Sequence, residues 1–191
     1  MYNEFEHGRV DNRKILILSV KFSSREPEHM LRLFFQKGET TMEHMDNGTT
    51  LERRLFQIAA EKRIPLYGVL ELLPLCNMNC DMCYVRLDKT EMEAQGKLRT
   101  ADEWLALAKQ MKKAGTLFLL LTGGEPLLYP DFRRLYLELR RMGMTVNINT
   151  NGTLIDEEWA EFFRKNKPRR INQCTVGIDV DRHPHPAKFE V

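Results

Sequence analysis

The feature that most constrains the fold is a regular alternation of strand-like and helix-like segments after Pro65. Amphipathic segments separate four apolar stretches that predict strands, which are Gly68–Leu73, Leu117–Leu121, Thr145–Asn149 and a stretch near Ile171–Ile178. Each strand-and-helix repeat takes about 30 residues, the usual size of a βαβ unit. This order predicts an α/β fold with a parallel sheet and right-handed crossovers. A closed barrel and an open doubly wound sheet both fit it.

Residues with helix-capping chemistry mark the ends of the predicted helices. Thr100 and Glu103 have the spacing of a capping box, in which each side chain bonds the backbone of the other. Asp131 and Asp156 are predicted to cap the next two helices, because aspartate at this position accepts a backbone N–H. Gly115 is expected to end the first of the three helices.

The region before Pro65 is predicted to form an N-terminal appendage, residues 1–64. Residues 14–22 are rich in Ile, Leu and Val and predict a strand, and residues 28–36 predict a short helix. Residues 50–63 predict an amphipathic helix that ends before Pro65, as expected of a residue that cannot continue a helix.

Charge and hydropathy give no reason to expect a nucleic-acid or membrane partner. The chain has 29 basic and 27 acidic residues in 191, and the resulting net charge of +2 provides no strongly basic surface. No apolar run reaches the roughly 20 residues needed to cross a bilayer. Residues 1–9 are polar and do not resemble a signal peptide, so we expect the protein in the cytoplasm.

Three of the four cysteines, Cys76, Cys80 and Cys83, lie within eight residues directly after the first predicted strand of the core. Clustered cysteines without an export signal indicate a metal or catalytic site, and the isolated Cys174 is interpreted as a buried thiol. Three thiolates could hold three irons of a cubane cluster and leave the fourth iron open. One alternative is a zinc site completed by Cys174 or a histidine. Another is a reactive C-x-x-C pair at Cys80 and Cys83.

Two further polar segments follow the next two predicted strands. Gly123, Gly124 and Glu125 come after the strand at 117–121, and Asn149–Thr153 lies at the end of the next strand. Sites in parallel α/β folds are built at the carboxyl ends of strands, so these segments and the cysteine loop should converge. Taken singly, the two glycines and the Asn-Gly pair are also typical of plain turns.

Together these segments resemble the radical S-adenosylmethionine (SAM) superfamily. The resemblance is carried by C-x3-C-x2-C followed by Tyr84, by GGEP at Gly123–Pro126 and by TNGT at Thr150–Thr153, and it covers about Leu66 to Arg170. It is closest to peptide- and protein-modifying members that often carry a C-terminal SPASM extension. It implies a TIM-like (βα) barrel, here partial and open, with about four βα units in a core spanning residues 65–172.

The resemblance also implies roles for individual residues. Cysteines 76, 80 and 83 would ligate a [4Fe-4S] cluster, and SAM would chelate the open iron. The implied SAM contacts are Tyr84 at the adenine, Gly123, Gly124 and Glu125 at the methionine amino group, and Asn151 at the ribose.

The function implied is that of an enzyme that splits SAM reductively into methionine and a 5′-deoxyadenosyl radical, which abstracts hydrogen from a substrate. The expected partners are a peptide or protein substrate and an electron donor such as ferredoxin or flavodoxin. Two other hypotheses stay open: a cluster-binding fragment without turnover, and a zinc-binding interaction module.

The chain departs from this family after the fourth predicted strand. It has no fifth-strand SAM motif, no sixth strand and no cysteine-rich auxiliary domain. Residues 173–191 predict an irregular tail, since prolines follow His183 and His185 and block a helix. A truncated or frameshifted gene would explain this, and a natural tail is the alternative. At the other end, Met42 or Met45 are alternative starts.

Overall fold

The computed structural model describes residues 17–20, 50–80, 83 and 85–173, which contain one five-stranded parallel sheet. Its strands follow one another in chain order, and neighbours pair in parallel. The strands are β1 Ile17–Val20, β2 Tyr67–Glu71, β3 Phe118–Thr122, β4 Thr145–Thr150 and β5 Arg170–Gln173. Among the described residues β1 and β5 do not pair with each other, so the sheet is open. The predicted α/β fold with a partial barrel is confirmed.

Within the described ranges, five α-helices lie between the strands or beside the sheet. They are α1 Thr50–Glu61, α2 Lys89–Gln95, α3 Ala101–Lys113, α4 Phe132–Arg141 and α5 Glu157–Lys165. Helix α2 was not predicted. It is only seven residues long and buries only Met92, so its apolar pattern is weak. Its capping box, in which the Asp88 side chain accepts from the backbone N–H of Glu91 at 2.8 Å, was readable in the sequence.

Two of the three predicted helix caps are confirmed and one is wrong. The Thr100 hydroxyl accepts from the N–H of Glu103 at 3.3 Å, while the Glu103 carboxylate accepts from the N–H of Thr100 at 2.7 Å. The Asp156 carboxylate accepts from the N–H of Trp159 at 2.9 Å. Asp131 precedes α4 but makes no capping bond, because its backbone (φ −98°, ψ 23°) is not extended as a capping residue requires.

The main core lies between the sheet and helices α3 to α5. One face of the sheet is lined by alternate strand residues, and Trp104 and Leu135 from the helices are fully buried against it. The sheet residues of this core include Leu70, Leu119, Leu121, Val146 and Ile148. Helices α3 to α5 therefore cover one face of the sheet and leave the strands' carboxyl ends clear for polar loops.

The region assigned to the N-terminal appendage contributes to the same sheet. Strand β1, within the predicted residues 14–22, pairs in parallel with β2 from Ile17↔Tyr67 to Val20↔Leu70. Helix α1 packs through Phe56 onto Phe118 of β3, with ring centroids 5.4 Å apart. The division at residue 64 stays a prediction.

Other predictions reach beyond the described residues or differ in their bounds. The predicted helix at 28–36, Cys174 and the tail at 174–191 lie outside the described residues. The fourth core strand was expected near 171–178, and β5 begins one residue earlier, at Arg170. No helix in the described part of the chain has the length and apolar character of a membrane span.

Candidate functional site

The cysteine loop leaves the carboxyl end of β2 and runs beside the end of β3. The backbone N–H of Leu72 donates to the carbonyl of Thr122 in β3 at 2.8 Å. The cysteine loop therefore begins directly after the last of these hydrogen bonds between β2 and β3. Cys76 and Cys80 are partly exposed and Cys83 is exposed. The N–H of Cys83 donates to the carbonyl of Cys80 at 3.0 Å, which forms a turn between these two cysteines.

The three cysteines predicted as ligands lie on one loop, but their side chains are not grouped closely enough to surround one ion. Among the described residues, no group of three or more His, Cys, Asp or Glu side chains is close enough to hold a metal ion. Residues 81, 82 and 84 lie outside that set, so the predicted adenine contact of Tyr84 stays a prediction.

The sulfur of Cys76 has the most defined environment of the three. It accepts from the N–H of Met78 at 3.4 Å and faces the side-chain amide of Asn151 at 3.6 Å. Burial raises the pKa of the Cys76 thiol, and the nearby Glu125 and Cys83 raise it further, while the two N–H donors act in the opposite direction. N–H donors of this kind favour a thiolate, the form that binds iron. The donor set therefore fits a cluster ligand at Cys76.

The two glycines after β3 are required by contact with the cysteine loop. A Cβ at Gly124 would lie 2.3 Å from the carbonyl oxygen of Leu75, and one at Gly123 would lie 2.4 Å from that of Leu73. Gly123 also has a φ of +151°, which favours glycine. The close approach that these glycines permit is to the chain's own backbone.

Backbone hydrogen bonds fix this contact between the two loops. The N–H of Gly124 donates to Leu73 and the N–H of Glu125 donates to Leu75, each at 2.8 Å. Residues 123–125, the GGE segment, thus continue the pairing of β2 and β3 past the strand ends. They tie the end of β3 to the residue directly before Cys76.

Glu125 is fully buried and links β3 to β4. One carboxylate oxygen accepts from the N–H of Leu127 at 3.0 Å and the hydroxyl of Thr150 at 2.7 Å. The other accepts from the N–H of Asn151 at 2.8 Å. Burial raises the pKa of Glu125, and these three hydrogen bonds offset the effect only in part. The carboxylate predicted to hold an amino group already has three donors from the protein.

Asn151 lies directly after β4 and is only 7% exposed. Its side-chain N–H₂ group donates to Asn77 at 2.9 Å and faces the Cys76 sulfur, while its carbonyl accepts from the backbone N–H of Thr153 at 2.9 Å. Through Asn151 and Glu125 the ends of β2, β3 and β4 meet at one place. This is the convergence that the sequence predicted.

Three residues of this network were not assigned a role from the sequence. The Asn77 side chain donates to the Thr153 hydroxyl at 2.7 Å, and the Thr150 hydroxyl donates to Glu125. Thr150 and Thr153 belong to the TNGT segment, so their position was known but their partners were not. Asn77 carried no signal beyond lying between two cysteines.

Comparison with known proteins gives partial matches to longer relatives. The chain is 31% identical over 131 residues to the Fe-coproporphyrin III synthase of Methanosarcina barkeri (strain Fusaro), which covers 69% of this chain and 30% of the relative. It is 32% identical over 96 residues to a PqqA peptide cyclase of Streptomyces rochei, with 50% and 26% covered. The chain thus spans less than a third of the length of either relative.

A solved structure and a family profile complete the comparison. The structure is Streptococcus suis SuiB bound to precursor peptide SuiA, with a TM-score of 0.47, 25% identity, and 68% of this chain and 28% of that chain covered. The profile of the Radical SAM superfamily matches residues 70–181, more than half of the chain, and extends past the boundary predicted at 172. By this match, the chain belongs to the radical SAM superfamily.

Proposed function

We propose that this chain is the core of a radical SAM enzyme that holds a [4Fe-4S] cluster through Cys76, Cys80 and Cys83. The observation that carries the proposal is the hydrogen-bonded convergence of three strand ends on the first of these cysteines. Asn151 faces the Cys76 sulfur at 3.6 Å, and its own backbone N–H is held by Glu125 at 2.8 Å. Superfamily membership supports the same conclusion independently.

The donor set suits a cluster that keeps one iron open. Three thiols occupy the motif, and they would ligate three irons. When bound, such a cluster supplies the electron that splits SAM into methionine and a 5′-deoxyadenosyl radical, and the protein orients and shields that chemistry. The N–H groups at Cys76 would stabilise the negative sulfur.

The GGE segment would hold the amino group of SAM chiefly through its backbone. An ammonium group needs hydrogen-bond acceptors, and the backbone carbonyl oxygens of Gly123 and Gly124 would supply them, while the N–H groups of Gly124 and Glu125 bind the cysteine loop. The Glu125 carboxylate would have to give up one of its three protein donors to bind SAM directly. A contact of Tyr84 with the adenine belongs to the same proposal. A contact of Asn151 with the ribose belongs to it as well, and the side chain would give up one of its hydrogen bonds within the protein to make it.

A peptide or protein is the substrate class that we propose. The support is similarity to PqqA peptide cyclases, at 32% identity over 96 residues for the Streptomyces rochei protein and 30% over 118 for that of Granulibacter bethesdensis. The Fe-coproporphyrin III synthase of Methanosarcina barkeri makes a tetrapyrrole the competing class, as does the AdoMet-dependent heme synthase of the same organism, which is 32% identical over 124 residues. We place the enzyme in the cytoplasm, with ferredoxin or flavodoxin as its electron donor.

Anaerobic reconstitution with iron and sulfide tests the cofactor assignment. Wild-type protein should bind about four irons and four sulfides, and after reduction it should form 5′-deoxyadenosine from SAM. Cys80→Ala should lose both properties. Cys174→Ala, the same substitution outside the motif, should keep both. Protein that takes up only zinc would contradict the proposal, and protein that loads a cluster without cleaving SAM would be a fragment without turnover.

Deuterium transfer tests the substrate class. The radical abstracts hydrogen from its substrate, so a deuterated substrate should label the 5′-deoxyadenosine product. We expect label from a deuterated peptide fraction of the source organism and none from deuterated coproporphyrin. The reverse result would assign the chain to tetrapyrrole chemistry.

A further inference from the structure

The side chain of Asn151 lies between the cysteine loop and the end of β4, and both of its polar groups are used inside the protein. The N–H₂ group lies 2.9 Å from Asn77 Oδ1 and 3.6 Å from Cys76 Sγ. The carbonyl accepts from the N–H of Thr153 at 2.9 Å and from its hydroxyl at 2.6 Å. The amide therefore joins the end of β4 to the cysteine loop, and Asn151 and Cys76 are 75 residues apart in sequence.

The orientation of this amide follows from its backbone partner. The N–H of Thr153 is a donor only, so it must face the carbonyl oxygen of Asn151. The N–H₂ group is thereby directed toward Asn77 and the sulfur of Cys76. A rotated amide would set donor against donor at Thr153 and oxygen against sulfur at Cys76.

Asn151 is also held rigidly from its backbone side. Its N–H donates to the buried carboxylate of Glu125 at 2.8 Å, and the Thr150 hydroxyl donates to the same carboxylate. The residue is only 7% exposed, so little water competes for the amide. In such a site a hydrogen bond to a charged partner is electrostatically stronger than in water.

We propose that Asn151 is a positioning residue that donates an N–H to the Cys76 thiolate, thereby fixing the cysteine loop and raising the reduction potential of the cluster. The inference rests on the proposed cluster site, and it makes the Cys76 sulfur the partner of the Asn151 side-chain amide. A reduced cluster carries one more negative charge than the oxidised one. A donor at a ligand sulfur stabilises the reduced form more, so its loss lowers the potential.

The test is a redox titration of reconstituted protein followed by EPR, without SAM. Asn151→Ala removes the donor, and the isosteric Asn151→Asp replaces it with an oxygen. If the bond favours the reduced over the oxidised cluster tenfold, its loss changes the ratio of the two forms tenfold at a fixed potential, which is about 59 mV for one electron. We expect Asn151→Ala to shift the potential negatively by about this amount and Asn151→Asp by more.

Asn149→Ala, near the end of β4, is the matched control. Asn149 lies two residues away, and its carbonyl accepts from the amide of Asn172 at 2.9 Å. This control should keep the wild-type potential.

Each outcome decides the inference. A variant that keeps its circular dichroism spectrum but binds less than about half the wild-type iron also supports the positioning role, because the loop is then no longer held. If Asn151→Ala does not fold, Asn151→Asp decides. Full loading with an unshifted or raised potential would overturn the inference while leaving the proposed function intact. Wild-type protein without a cluster would overturn the proposed function instead.

Discussion

Replacing Gly124 with alanine should force the GGE segment away from the cysteine loop. The added Cβ would lie 2.3 Å from the carbonyl oxygen of Leu75, whereas ordinary van der Waals contact begins at 3.4 Å. All three of its nearest atoms belong to the backbone of Pro74 or Leu75, so no flexible side chain can yield. The two loops would have to separate by about 1 Å.

The cost follows from the contact that is lost. Overpacking of this kind costs about 1–3 kcal/mol. The same separation stretches the bond from the N–H of Glu125 to Leu75, now 2.8 Å, and adds about 0.5–1.5 kcal/mol. We expect Gly124→Ala to lower the free energy of unfolding by about 2–4 kcal/mol. Cluster uptake should fall as well, since Cys76 follows Leu75 directly.

Gly143→Ala is the control for a glycine substitution elsewhere. Its Cβ would meet only the Lys112 Nζ atom, at 3.9 Å, so its cost comes from the backbone φ of +79° alone, about 1–2 kcal/mol. Urea unfolding followed by circular dichroism measures stability, and iron analysis after reconstitution measures uptake. The reasoning fails if Gly124→Ala loads iron as well as the control and is no less stable than it.

Two further predictions concern buried and partly buried charges. Since burial raises the pKa of Glu125, the folded state holds its proton more tightly than the unfolded state, and the free energy of unfolding should fall as pH rises through that raised pKa. Glu125→Gln should flatten this part of the pH profile in urea titrations, and an unchanged slope would contradict the prediction. Glu52 of α1 accepts from Arg169 at 2.9 and 3.3 Å, and both side chains are about a quarter exposed. A double-mutant cycle with Glu52→Gln and Arg169→Gln should give a coupling of about 0.5–1 kcal/mol that weakens with salt, and zero coupling would exclude a stabilising pair.

Local patterns predicted the central strands and helices because burial imposes a period on the sequence. The apolar run at 117–121 corresponds to β3, and the capping box at Thr100 to the start of α3. Helix α2 was missed because seven residues with one buried side chain leave almost no period. The pairing of β1 with β2 could not be predicted, since it joins residues about 50 apart and depends on tertiary packing.

The sequence predicted where the site lies in the fold, but it did not predict which side chains contact one another there. The strand-end rule put Gly124, Glu125 and Asn151 at one edge, and all three lie there. Their hydrogen-bond partners depend on how far each loop extends past its strand, and nothing in a motif encodes that distance. Glu125 was therefore expected to bind a ligand, and the structure shows that its carboxylate accepts from Thr150 and Asn151.

The EPR spectrum of the reduced, reconstituted protein, recorded with and without SAM, tests the central claim most directly. If the three strand ends build one site for cluster and SAM, binding of SAM would change the signal of the cluster held by Cys76, Cys80 and Cys83. We predict a [4Fe-4S] signal that shifts on addition of SAM in wild-type protein and in Cys174→Ala, and no such signal in Cys80→Ala. A cluster signal that SAM leaves unchanged would contradict the account.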